Sequence, residues 1–241
     1  PFFVAWTVRA AVQPTKIGGV GEIVDASGDA PPAAAIDRAV AALAAGGVVV
    51  IPTDTVYGLA ADPRRTAALF ACKERPTEVA LPVLVADVGQ ALALAAEDLP
   101  GAARPLMARW WPGGLTLVVP RRPGLELDLG GPDDATIGLR LPAHPVPVAL
   151  ARRAGPLAVT SANRHGMPTP AGAGDAVAQL GTGPALALDG GDCRGRASTV
   201  VACVGGEVKI LRQGAVTAAE VFASAGIRGP EEAGGGPGEA R

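Results

Sequence analysis

The sequence predicts an α/β fold, a mixed and twisted β-sheet with helices packed on it, and three observations carry that prediction. Residues 33–52 read as helix, glycine stop and buried strand in direct succession. Helical and strand periodicities then alternate along the chain, with no internal repeat and no linker to divide the core. The composition agrees, since 241 residues that are 49% hydrophobic and 18% charged suit one globular domain and are too apolar for general disorder.

Each element has its own signal. Over 33–45, Ile36, Ala39, Val40 and Leu43 share one helical face; Gly46 and Gly47 end the helix, and VVVIP at 48–52 is a buried strand. A helix over 65–72 follows, then a strand over 81–86 and helices over 88–96 and 101–110. Strands are expected at 115–119 and 136–141, a helix at 146–153, a strand at 157–160 and a helix at 173–180. The last strands are 185–188, 199–204 and 207–211, the final two joined by Gly205 and Gly206. The expected layout is an N-terminal extension over 1–21, poorly ordered and lacking a signal-peptide pattern, a single folded domain over 22–228 and a glycine-rich disordered tail over 229–241.

Several function classes lose support at once. The longest apolar stretch, residues 33–52, is broken by Asp37, Arg38, Gly46 and Gly47, well short of the roughly 18 uncharged residues of a membrane span. Cys72, Cys193 and Cys203 form neither a disulfide framework nor a CxxC metal clip, which reads as reduced thiols in a cytoplasmic protein. A net charge of −2 argues against a broad nucleic-acid footprint. The phosphate loop GxxxxGK[ST], the dinucleotide loop GxGxxG and the zinc helix HExxH are missing from the sequence. Only three of the 21 basic residues are lysines (Lys16, Lys73, Lys209), a bias that fits GC-rich coding and sharpens interest in any lysine near a glycine-rich motif.

The candidate chemistry lies where strands meet loops. TDTVYGLAAD at 53–62 offers two threonines, an acid and a tyrosine, either for a ligand or simply to cap a turn. CKERP places Lys73 two residues from Arg75, a pairing that suits a polyphosphate or complements a helix C-terminus. Trp110 and Trp111 read as packing residues, and Thr116 opens the strand behind them. Arg140 stands inside an apolar strand, which is costly unless an anion, internal or bound, satisfies it. His144 reads as a loop residue. Ser161 and Asn163 end the strand before a Gly/Pro loop, as orienting groups in a nucleotide pocket would, and no GxSxG elbow accompanies them. Ser198, Thr199 and Arg212 flank the last strands.

Taken in order, PTDTVYGLAAD, KERP, WPGGLT, IGLRLPAHP, TSAN, STVV and LRQG make residues 48–216 resemble the YrdC-domain family, the threonylcarbamoyl-AMP synthases. That resemblance implies a three-layer α/β fold that binds ATP, L-threonine and bicarbonate in a deep cleft, with Mg²⁺ bound with the ATP. The product, threonylcarbamoyl-AMP, would pass to a tRNA-modifying transferase complex, and a weak contact with tRNA or double-stranded RNA is also implied. Carried over by motif, Lys73 and Arg75 meet the ATP phosphates as the catalytic pair, and Thr116, Asn163 and Arg212 help to hold the nucleotide. Thr53, Arg140, Ser161 and Ser198 meet threonine, Arg140 taking its carboxylate. The chain departs from the family pattern at Val79, Ala80, Leu84, Ala171 and Ala197, with Thr169 offering a hydroxyl near Ala171. A short, single-domain form is expected. The alternatives are an RNA-binding module without catalysis and, less well matched, carbamoyl transfer in hydrogenase maturation.

Overall fold

The structure, a computed structural model, describes residues 21–73, 77–132 and 134–227. The expected extension (apart from Gly21), the tail and Arg75 lie outside the described residues. Seventeen elements follow one another: β1 (Glu22–Asp25), α1 (Ala33–Ala44), β2 (Val49–Ile51), β3 (Gly58–Ala61), α2 (Ala67–Lys73), β4 (Val83–Leu84), α3 (Val88–Leu94), α4 (Ala103–Trp110), β5 (Leu115–Pro120), β6 (Thr136–Arg140), α5 (Pro145–Ala154), β7 (Leu157–Ser161), α6 (Ala173–Leu180), β8 (Leu186–Asp189), β9 (Thr199–Val204), β10 (Glu207–Arg212) and α7 (Ala218–Ala225).

All ten strands form one mixed sheet in the order β1-β8-β2-β3-β7-β4-β6-β5-β9-β10. Four pairs are parallel (β1 with β8, β2 with β8, β4 with β6, β5 with β9) and the other five antiparallel, as expected of a mixed sheet. Successive residues of a strand face opposite sides, and the core divides accordingly. Val50, Leu59, Leu117 and Leu139 join one cluster with Leu69, Leu106, Val177 and Val221 from α2, α4, α6 and α7. Val49, Ile51, Leu84, Leu157 and Val159 join a second with Ile36, Ala39 and Leu43 of α1 and Val146 and Leu150 of α5. Helices on both faces of one sheet make three layers.

Three elements went beyond the periodicity reading. β3 lies where a ligand loop was expected over 53–62, because Gly58, Leu59, Ala60 and Ala61 are all buried and pair with β7 as well as β2. Edge strand β1 has only Glu-Ile-Val-Asp to offer, too short a pattern to register. Helix α7 begins with a capping box: Thr217 Oγ1 accepts from Glu220 N, and Glu220 Oε2 accepts from Thr217 N at 2.8 Å. It packs on α4, where Trp110 Nε1 donates to Ser224 Oγ at 3.1 Å. Thr217→Ala removes the cap and is expected to lower the unfolding free energy by about 1 kcal/mol in urea titration.

Candidate active site

The parity of the strands assembles the site. Leu84 pairs with both Leu157 and Arg140, so these three side chains share the face that α1 and α5 cover. The pairing of Leu117 with Leu139 carries the same face one step on to Thr116, and Thr116 pairs with Val200, itself opposite Arg212. The two helices leave this half of the face open. There a cavity of about 300 Å³ is lined by Thr53, Thr55, Thr116, Arg140, Thr160, Ser161, Asn163, Thr169, Ser198 and Arg212, with an apolar wall of Val56, Pro82, Leu84 and Val159. Seven sequence-expected residues thus meet around one space. The expectation that ligands gather at strand ends is met only in part: Arg140, Ser161 and Arg212 are the last residues of β6, β7 and β10, yet it is a sheet face that unites them.

At one side of the cavity Arg140, only 6% exposed, is held from three directions. Its Nε donates to Gly113 O at 2.9 Å, Nη1 to Thr55 Oγ1 at 2.9 Å and Nη2 to Asp54 Oδ1 at 2.7 Å. Burial lowers its pKa, and the Asp54 carboxylate opposes that shift. The internal-anion reading of Arg140 is therefore realised. Thr53 serves the loop itself: its hydroxyl donates to Val56 O at 2.6 Å and accepts from Thr55 N and Val56 N, the turn-capping alternative for this motif. Gly195 backs the same loop so closely that a Cβ there would lie 2.7 Å from Thr55 O.

Lys73, the last residue of α2, is 3% exposed and stands against the cavity wall. Its Nζ donates to Ser161 Oγ at 2.8 Å, Asn163 Oδ1 at 3.1 Å and Thr160 Oγ1 at 3.3 Å, and also to Ser161 O. Asn163 Nδ2 in turn donates to Met167 O at 2.6 Å, which fixes the amide's orientation and shapes the loop after β7. Across the cavity, Ser198 Oγ and Thr116 Oγ1 lie 2.8 Å apart, and Arg212 Nη2 donates to Ser198 O at 2.9 Å and Ser198 Oγ at 3.1 Å. Buried Thr199 fixes that rim, since its hydroxyl accepts from Gly214 N and Val216 N and donates to Val216 O. Gly214 fits because it has no side chain: a Cβ would lie 2.1 Å from Ala197 O.

A second cavity of about 390 Å³ adjoins the first and shares Pro82, Thr116 and Arg212 with it. Its walls are largely apolar, with Leu81, Val118, Ile137, Val200 and Leu211 among them, and two of the family departures, Val79 and Ala80, line it. Of the other three departures, Leu84 and Ala197 line the first cavity and Ala171 does not, while Thr169 supplies a hydroxyl there. The three cysteines are free thiols, and burial pushes Cys193, beside Thr53, above its usual pKa, so it is not an activated nucleophile.

The family model Sua5/YciO/YrdC, which carries the description "Telomere recombination", matches residues 41–214. This chain belongs to that family. A Mycobacterium tuberculosis (strain ATCC 25618 / H37Rv) protein, provisionally named threonylcarbamoyl-AMP synthase, is 41% identical over 196 residues, spanning 80% of this chain and 89% of its own length. The Bacillus subtilis (strain 168) threonylcarbamoyl-AMP synthase is 37% identical over 200 residues; the match covers 79% of this chain and only 56% of that protein. The crystal structure of P. abyssi Sua5 complexed with L-threonine superposes with a TM-score of 0.76 at 30% identity, covering 90% of this chain and 65% of that one.

The sequence motifs contain Asp54, Thr55 and Thr160 without assigning any of them a role in the site. Asp54 had a legible signal: a buried arginine needs a carboxylate, and Asp54 is the acid inside the first motif of the site. Thr55 and Thr160 became evident only through pairing in space. His144 is more than a loop residue, because its Nδ1 accepts from Val146 N at 3.2 Å and caps α5. Burial lowers the His144 pKa below its ordinary 6.5, with Asp54 pulling the other way. A depressed folded-state pKa means that the unfolded chain takes up the proton first, so this contribution to stability is present above 6.5 and is lost as pH falls below it. His144→Asn keeps a capping side chain and cannot titrate; its unfolding midpoint is expected to fall less than that of the wild type as pH drops below about 6.5, as read by thermal melts.

Proposed function

We propose that this chain is a threonylcarbamoyl-AMP synthase, making threonylcarbamoyl-AMP and pyrophosphate from ATP, L-threonine and bicarbonate. One observation carries the reading: seven of the motif residues expected for the two substrates line a single concave cavity, polar on one side and adjoining an apolar chamber. A small amino acid fits the first space beside Arg140. A purine fits the second, with Thr116 and Arg212 at the shared wall where the ribose and phosphates would pass. A concave pocket of about 300 Å³ favours catalysis on small molecules over the RNA-binding alternative, which calls for a broad basic face.

The chemistry follows from positioning. The neutral amine of threonine adds to CO₂ with loss of a proton, or condenses with bicarbonate with loss of water, to give a carbamate; a carbamate oxygen then attacks the α-phosphorus and expels pyrophosphate. Three anionic groups, the carboxylate, the carbamate and the triphosphate, must be gathered in one cavity, so fixed cations supply the main contribution. Arg140 takes the carboxylate. Lys73 exchanges wall oxygens for phosphate oxygens, joined by Arg75, while Arg212 closes the opposite rim. The hydroxyls of Ser161 and Ser198 and the amide of Asn163 orient the reactants, and no side-chain nucleophile is required.

Mg²⁺ enters as part of the MgATP substrate. Among the described residues no group of three His, Cys, Asp or Glu side chains is placed to hold a metal ion, and the protein's share of the charge comes from its lysine and arginines. The product goes to a tRNA-modifying transferase complex, with tRNA contact confined to that handover. We place the protein in the cytoplasm, where unpaired cysteines such as Cys72, Cys193 and Cys203 stay reduced.

Purified protein given MgATP, threonine and bicarbonate is expected to release pyrophosphate, and release equal to a no-threonine control would refute the assignment. Lys73→Ala should lower that rate about a hundredfold, as loss of a positioned charge at the reacting phosphate does. Arg140→Lys keeps the charge opposite Asp54 but loses the fork, so its KM for threonine should rise about tenfold while its KM for ATP stays near the wild-type value.

A further inference from the structure

The contacts around Arg140 carry more than a binding role for that one residue. Of the five N–H donors of its guanidinium, three are occupied internally, one each by Gly113 O, Thr55 Oγ1 and Asp54 Oδ1. Among the described residues this leaves one donor on each terminal nitrogen for a ligand. Asp54 is not one of the residues that line the cavity, whereas Arg140 and Thr55 are. The ion pair is largely desolvated, with side-chain exposures of 7% for Arg140 and 16% for Asp54.

The loop that bears Asp54 is rigid for local reasons. Thr53 closes it through bonds to Val56 O, Thr55 N and Val56 N. Behind it, a Cβ on Gly195 would lie 2.7 Å from Thr55 O and 3.1 Å from Asp54 O, so the two backbones touch without a side chain between them. The carboxylate therefore has a fixed address, and so does the guanidinium bonded to it.

We propose that Asp54 is a positioning residue for amino-acid binding: with Thr55 it holds Arg140 in a preset fork, whose remaining donors meet the substrate carboxylate without reorganisation. The inference rests on the reading that Arg140 takes the carboxylate of threonine. Electrostatics alone points the opposite way. A negative charge 2.7 Å from Arg140 weakens the attraction for an incoming carboxylate, so if Asp54 were only a counter-charge its neutralisation would tighten threonine binding. If it positions Arg140, neutralisation loosens binding. The two roles thus differ in sign.

Asp54→Asn preserves shape and the Oδ1 acceptor while weakening a charge-assisted bond to a neutral one. Its KM for threonine is expected to rise about tenfold, with kcat and the KM for ATP within about twofold of wild type. A threonine KM that falls or stays unchanged overturns the proposal, as does an equal rise in both KM values. Thr55→Val, which removes the neighbouring acceptor without touching the ion pair, should raise the threonine KM in the same selective way. It decides the question if a thermal melt shows that the Asn variant does not fold, an unchanged KM counting against the proposal. Arg140→Lys in the same assay separates the two levels. If it leaves threonine KM unchanged, the assignment of Arg140 fails; if it raises KM while the Asp54 and Thr55 variants do not, only the positioning role is lost.

Discussion

A residue in a β-strand has two faces to choose between, and the whole site depends on that choice being made in the same sense across neighbouring strands. Leu84, Arg140 and Thr116 stand side by side through the pairing of β4, β6 and β5, and Val200 and Arg212 continue the row through β9 and β10. A slip of one residue in any of these registers would send its side chain into the opposite core. That core, packed with Leu69, Leu106, Leu117 and Leu139, has no room for a guanidinium. Packing on one face thus fixes the chemistry on the other. Helices α1 and α5 seal only part of the second face, and the part left open is the cavity.

Within that frame the cost of burying charge determines the local design. Arg140 and Lys73 are both nearly excluded from solvent, and each is surrounded by oxygens drawn from elements remote in sequence. Such groups are tolerable only when their hydrogen bonds are met before any ligand arrives. The oxygens around Arg140 also fix its orientation, while those around Lys73 satisfy its charge until a ligand's oxygens replace them. Tyr57 shows the same economy of partners further along the first motif: its buried hydroxyl donates to Gly191 O at 2.7 Å and accepts from Gly190 N at 3.3 Å, tying the loop of the site to the end of β8.

Most of the architecture was legible because its signals are periodic. The run from α1 through Gly46 and Gly47 into β2, and the strands around Thr116, Arg140 and Ser161, are long enough to show their pattern. β3 was not, because Gly-Leu-Ala-Ala is buried on both sides and has no alternation to display. The candidate site residues were legible through motif order, a linear property, and seven of them line one cavity with Lys73 bonded to its wall. Their mutual bonds were not. That Asp54 satisfies Arg140, and that Ser198 stands between Thr116 and Arg212, depends on contacts between residues separated by 86 and 82 positions and by 14 across a hairpin. No local pattern encodes such distances.

The two chambers share Pro82, Thr116 and Arg212 as a common wall. A molecule that shifts any of these three side chains from one space alters the surface presented to the other, which is the physical basis for coupling between them. Such coupling is reciprocal: whatever factor the nucleotide applies to the affinity for the amino acid, the amino acid applies to the affinity for the nucleotide. On the proposed reading, with the amino acid in one space and the nucleotide in the other, three shared side chains would carry that coupling, and the affinity for each substrate would depend on the supply of the other.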